Sequence, residues 1–198
     1  MKTAFDLVRR YAAADDRRVA ASNLVALVLA WNTPFYPLYL LGAAGPEMRD
    51  AAWLTLFAFP VFLLVPAVTR WNGIWGRVLL VVAGTVNSLY CTWLLGEASG
   101  TALFLLPCIT LAALVFRRVE PGALFTLLAL PIVAGIAMNG RYPISPFACI
   151  GADCSAMVWL NAVSVAILLA FLGVLSTGLA DSGHQITQGP SDARPRRQ

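Results

Sequence analysis

The chain has 198 residues, 59% of them hydrophobic and 12% charged, with a formal net charge of +4. A water-soluble domain carries roughly 25% charged residues, so lipid is the solvent that suits this composition. The positive balance does not describe a nucleic-acid binder, because the basic residues lie at the ends of apolar segments and form no single patch.

The first 23 residues, MKTAFDLVRRYAAADDRRVAASN, are polar and basic, and no apolar run begins before Leu24. That order predicts no cleavable signal peptide; the first apolar segment itself directs insertion. Residues 3–21 read as a short amphipathic helix, with Phe5, Leu7, Val8 and Tyr11 as an apolar stripe suited to an anionic leaflet. Six apolar segments follow, at roughly 24–42, 51–69, 75–95, 101–116, 122–138 and 156–178. A helix needs about 20 residues to cross about 30 Å of hydrocarbon. The third and sixth segments meet this easily, whereas the fourth and fifth are slightly short and need extension at the interface or a thinner bilayer. No segment alternates as a barrel strand does. After about Ala180 the tail DSGHQITQGPSDARPRRQ has almost no apolar residues and reads as disordered. The expected organisation is a cytoplasmic N-terminal segment at 1–23, a membrane domain at 24–179 and a disordered cytoplasmic tail at 180–198.

Basic residues set the orientation. Lys2, Arg9, Arg10, Arg17 and Arg18 precede the first segment. Arg70 and Arg77 lie in the second-to-third loop, Arg117 and Arg118 in the fourth-to-fifth, and Arg194, Arg196 and Arg197 in the tail. Of the 14 Lys and Arg, only Arg49 and Arg141 fall on the other side. The fold class expected is therefore all-α, a polytopic bundle of six transmembrane helices with both termini inside. Trp53, Trp71, Trp75, Trp93 and Trp159 sit near segment ends, as interfacial anchors do.

The chemistry the chain lacks is informative. Its one histidine, His184, falls in the tail, and no Asp, Glu, Lys or Arg lies near the centre of a segment. A haem, a histidine zinc site, a Ser–His dyad and charge-coupled transport all lose their usual residues. No enzyme activity, metal or cofactor is expected. Cys149 and Cys154, in PFACIGADCSA, form a disulfide candidate in a loop placed in an oxidising compartment. Arg141, Tyr142, Pro143, Pro146 and Asp153 make the same loop a candidate ordered cap. Cys91 and Cys108 read as small, inert core residues. Pro34 and Pro37 are expected to kink the first helix, and Pro60, Pro66, Pro107 and Pro131 to open space elsewhere. Polar residues inside segments must find partners, as glue between helices or as the lining of a pocket. Asn32, Asn87, Tyr90, Trp93 and Asn161 are the candidate ligand-binding residues.

From the end of the second segment the sequence reads VPAVTRWNGIWGR and then GTVNSLYCTWLLGEASGTALFLLPCITLAALVF. With Pro66, Arg70, Trp71, Gly73, Gly84, Trp93, Gly96, Gly100 and Phe104, this resembles the six-helix membrane domain found ahead of bacterial class III adenylate cyclases and of some diguanylate cyclases and histidine kinases. The resemblance is good over about 50 residues, and beyond them it rests on helix count and orientation. Relatives often place His or Gln at the start of helix four, where Ala102 and Leu103 stand here. The family also continues into a signalling helix and a catalytic domain, where this chain has its tail, so no cyclase or kinase activity carries over. The resemblance implies a sensor or regulatory domain of a bacterial inner membrane. It would bind a small apolar or amphipathic ligand, or partner helices, and work through a separate cytoplasmic signalling partner or as a homo-oligomer. The alternative expected is a small transporter or the substrate-binding subunit of an uptake system.

Overall fold

The structure, a computed structural model, describes residues 6, 10–145, 147–149 and 152–187. The described residues are helical and contain no strand. In chain order the helical stretches are α1 (Arg17–Ala44), α2 (Pro46–Trp71), α3 (Gly73–Leu95), α4 (Thr101–Val115), α5 (Pro121–Met138) and α6 (Ala152–Thr187). Five are long and apolar enough to cross a membrane, and α4 is the shorter one. Its four-residue 3-10 turn and 11-residue α-helix reach about 24 Å, against about 30 Å of hydrocarbon.

Local chemistry sets where α1 begins. The helix expected over 3–21 is broken at residues 13–16, and α1 begins at Arg17. Asp16 is the reason: its carboxylate accepts the backbone N–H groups of Arg18 at 2.8 Å and Val19 at 3.4 Å, an N-cap that starts a new helix. Tyr11 turns back onto α2, its hydroxyl donating to the Leu63 carbonyl at 3.0 Å and its ring lying under Arg70 at 4.7 Å. Phe5, Leu7, Val8, Lys2 and Arg9 lie outside the described residues. At the other end, α6 continues to Thr187, past the expected start of disorder at 180. Arg194, Arg196, Arg197, Pro146 and Gly151 also lie outside the described residues.

Tight turns keep consecutive helices adjacent. Asn72 caps α3 through its side-chain oxygen, which accepts from Ile74 N–H at 2.9 Å and Trp75 N–H at 3.2 Å. Gly76 then lets α3 lie against α2, since a Cβ there would fall 2.1 Å from Thr69 Cγ2 and 2.8 Å from the Thr69 backbone nitrogen. The α3–α4 turn uses Gly96 and Gly100, at φ 83° and 77°, which a residue with a Cβ rarely adopts.

Lipid tails are as apolar as leucine, so close packing and hydrogen bonds must hold such helices together. Two apolar cores result. One, near the N-terminal end of α1, contains Val25, Phe62, Val65, Leu80, Leu111, Val115, Phe116 and Leu172. The other, toward the cysteine loop, contains Leu40, Met48, Ala51, Leu94, Leu95 and Met157. The outer surface is largely apolar: Phe57, Phe125, Ile136, Ile167 and Val174 are all exposed. Trp53, Trp71, Trp75, Trp93 and Trp159 are exposed as well.

Two arginines, Arg77 and Arg18, are bonded across helices. Arg77, 4% exposed, donates to both carboxylate oxygens of Glu120 at 2.7 and 2.9 Å, to the Val115 carbonyl at 2.7 Å and to Gly73 at 3.0 Å. Arg18 donates to the carbonyls of Leu114 at 2.9 Å and Phe116 at 2.5 Å. Two cations thus satisfy the orphan carbonyls where α4 ends, the end at which a helix dipole favours positive charge. The Arg77 hydrogen bonds hold the Glu120 carboxyl below the usual glutamate range, against a smaller opposing effect of burial.

Candidate functional site

The cavity sits between the two cores. It has a volume of about 110 Å³ and is lined from α1, α2, α3, α4 and α6. Three of those helices lose regular geometry where they meet it. Pro37 has no N–H for the Thr33 carbonyl, and Tyr36 N–H takes that carbonyl instead, giving the 3-10 turn Thr33–Phe35. Pro60 leaves the Leu56 carbonyl in the same position; Phe59 N–H takes it, giving the turn Thr55–Ala58. Ahead of Pro107, α4 opens with the turn Thr101–Phe104. Thr33, Thr55, Thr101 and Phe104 all line the cavity. Hydroxyls close off some of the irregular backbone: Thr33 Oγ1 donates to Leu29 at 2.7 Å and Thr55 Oγ1 to Ala52 at 2.6 Å.

One wall is a face of α3. Gly84, Asn87, Ser88 and Cys91 line the cavity at helical spacing. Gly84 allows α4 to come close, because a Cβ there would meet Cys108 Sγ at 3.1 Å. At about 100° per residue, Trp93 falls on the opposite face of α3 and Tyr90 well to one side. Both lie outside the cavity: Tyr90 packs between Phe57 and Trp93, with ring centroids 5.8 Å apart in each pair. Asn161 also lies outside the lining. It is fully buried, accepts from the Tyr36 hydroxyl at 3.0 Å and donates to the Ser99 carbonyl at 2.9 Å. Ser99 Oγ shares a 2.9 Å hydrogen bond with Thr101 Oγ1, which donates to Thr92 Oγ1 at 3.2 Å. This network ties α1, α3, α4 and α6 together at the cysteine-loop side of the cavity.

Asn32 and Asn87, the remaining two candidates, do line the cavity. The Asn32 side chain makes no hydrogen bond among the described residues, although it lies in the middle of an apolar span and is exposed. Asn87 accepts a 3.7 Å contact from the Cys91 thiol through Oδ1. Among the described residues its amide N–H groups have no acceptor. An unpaired amide in an apolar setting costs free energy until it finds a partner. Sequence reasoning missed Tyr36, Thr55 and Thr101 as lining residues. It placed Cys91 and Cys108 in the core; both are free and buried, and both form cavity wall. The readable signal was the run of small residues Gly84, Ser88 and Cys91 on one face of α3. Beyond the Asn161 network, Cys149 and Cys154 form a disulfide, with Cα atoms 5.4 Å apart. Cys149 N–H donates to the Leu95 carbonyl at 3.1 Å and Ser145 Oγ to Leu94 at 2.7 Å, docking the loop on the end of α3.

No group of three or more potential metal ligands occurs among the described residues. The site is thus a small, mostly apolar cavity inside an apolar helical bundle, with unpaired amides of Asn32 and Asn87 in its lining. The family model MASE7, a membrane-associated sensor domain family, matches residues 8–178, and the chain belongs to that family. No curated protein and no solved structure matches the chain.

Proposed function

We propose that this membrane-associated sensor domain binds a small amphipathic molecule in the central cavity and answers by changing the geometry of the helices around it. The observation that carries the reading is the coincidence of the cavity with the 3-10 turns inside α1 and α2. A mid-helix 3-10 turn is a common hinge, so a ligand there is well placed to favour one helix geometry over another. Its polar group would meet Asn87 and its apolar part Phe62, Leu111 and Leu168. The volume suits a compact molecule: a dry cavity of about 150 Å³ takes benzene.

In this reading α4 is a sixth span. Its first turn is bonded to the Thr92–Asn161 network, and its last carbonyls are held by Arg18 and Arg77 beside the start of α1 and α3. Both termini then face the cytoplasm of a bacterial cell, and the cysteine loop faces the oxidising side of the inner membrane. The output passes without catalysis to a separate cytoplasmic partner or a second copy of the chain. A transport role remains the alternative, distinguished by flux across proteoliposomes.

The test uses straight-chain alcohols and the matching alkanes as probes, with the full chain in nanodiscs. Short alcohols are expected to raise the unfolding temperature more than alkanes of equal length, and Asn87→Leu to abolish that preference. Equal effects of both probe types, or a preference unchanged in Asn87→Leu, would overturn the assignment of the site.

A further inference from the structure

A second recess lies at the opposite end of the bundle from the cysteine loop. It has a volume of about 800 Å³ and is formed by the start of α1, the end of α4 and the following loop, and α6. This is within the roughly 300–1,000 Å³ of ordinary ligand sites. One side is apolar, with Leu114, Leu169, Leu172 and Leu179. The other carries Arg17, Arg18, Arg117 and Arg118, and among the described residues no acidic side chain lines the recess.

The four cations are not equivalent. Arg18 is engaged by the α4 carbonyls, and Arg117 is paired with Asp16 at 2.6 Å. The Arg17 and Arg118 side chains are exposed and have no ion pair or hydrogen bond among the described residues. The nearby Glu120 is already engaged by Arg77. Two unneutralised guanidinium groups therefore sit at the rim of an apolar recess at the end of membrane-spanning helices. Guanidinium groups recognise phosphate oxygens in pairs, and leucines along α4 and α6 match an acyl chain.

We propose that this recess is a binding site for an anionic phospholipid, with the phosphate held between Arg17 and Arg118 and one acyl chain lying against α4 and α6. The inference depends on the chain lying in a membrane but not on what the central cavity binds. Leu172 lines both spaces, so lipid occupancy would press on the cavity wall.

The test is native mass spectrometry of the full chain released from detergent, with phosphatidylglycerol, chain-matched phosphatidylcholine and inorganic phosphate as probes. Phosphatidylglycerol is expected to bind at least about 10-fold more tightly than phosphatidylcholine, given an attraction per arginine worth about 5-fold. Arg17→Gln with Arg118→Gln should weaken phosphatidylglycerol by about 30-fold and phosphatidylcholine, whose phosphate is offset by its choline, by much less. Arg70→Gln, at the same end but outside the recess, should change neither. A photoreactive acyl chain on phosphatidylglycerol should label α4 near Thr110 and α6 near Gly173 in the unaltered protein, a readout independent of any variant. Equal binding of the two lipids, an unaffected double variant, or labelling elsewhere would overturn the proposal. Full displacement of the lipid by millimolar inorganic phosphate would also overturn it, leaving an anion site without lipid.

Discussion

Removing the Glu120 carboxylate tests how the end of α4 is held. In Glu120→Ala the Arg77 guanidinium, 4% exposed, loses bonds of 2.7 and 2.9 Å and keeps only the neutral carbonyls of Gly73 and Val115 and the face of Phe116 at 5.0 Å. Breaking a buried pair from one side costs about 3–5 kcal/mol. The two surviving acceptors and the partial exposure of Glu120, 21% at its side chain, place this case at the lower end, about 3 kcal/mol. Arg77→Met keeps the side-chain bulk but frees the Val115 carbonyl and leaves the Glu120 carboxylate only the Arg117 backbone N–H at 3.0 Å, for about 2–3 kcal/mol. The double variant strands no charge, so its loss should be smaller than the sum of the two by about 2 kcal/mol. The assay is unfolding in mixed micelles titrated with SDS and followed by tryptophan fluorescence. Single-variant losses under about 0.5 kcal/mol, the range of an exposed pair, or strict additivity would refute the reasoning. The pH dependence has a definite sign. The Glu120 carboxyl titrates below its ordinary range in the folded chain, so the pair's contribution is complete above the ordinary glutamate value. It disappears as the pH falls through the lower folded value.

Other expectations follow from single contacts. Asn161→Leu strips a partner from the Tyr36 hydroxyl and the Ser99 carbonyl and should cost about 1–3 kcal/mol in the same assay; a neutral result would mean the network does not hold the cavity's end. Gly76→Ala drives a Cβ into Thr69 and should destabilise near the upper end of roughly 1–3 kcal/mol, an expectation contradicted by an unchanged unfolding midpoint. Reducing Cys149–Cys154, five residues apart, should cost about 2 kcal/mol by chain entropy. A Cys149→Ser, Cys154→Ser variant that is insensitive to reductant, while the unaltered chain loses stability, checks this. An unaltered chain that keeps its full stability in reductant would contradict it.

The helical layout was legible because it depends on chain-local signals, namely apolar runs, arginine clusters and proline positions. The cavity was half legible. Helical spacing alone separates Asn87 from Tyr90 and Trp93 on α3, and prolines 34, 37, 60 and 107 mark where helices open. What spacing cannot give is which polar residue is matched by a partner from another helix. Asn161 and Asn87 look alike in sequence, yet one meets Tyr36 and Ser99 and the other lines the cavity with only the Cys91 thiol in contact. Arg18 and Arg77 read as topology signals for the same reason, since the carbonyls they bind belong to residues far along the chain. The Asp16 cap is hard to see in the sequence because the residues around it are uniformly polar and no apolar run follows at once.

The most direct test of the central claim is photolabelling of the full chain in nanodiscs with a small diazirine-bearing aliphatic alcohol, mapped by peptide mass spectrometry. Saturable labelling is expected at lining residues such as Leu29, Asn87, Leu111 and Leu168, and it should be lost in the cavity-filling variant Asn87→Phe. Labelling confined to lipid-facing residues such as Phe125 and Ile136, or unchanged by Asn87→Phe, would contradict the account.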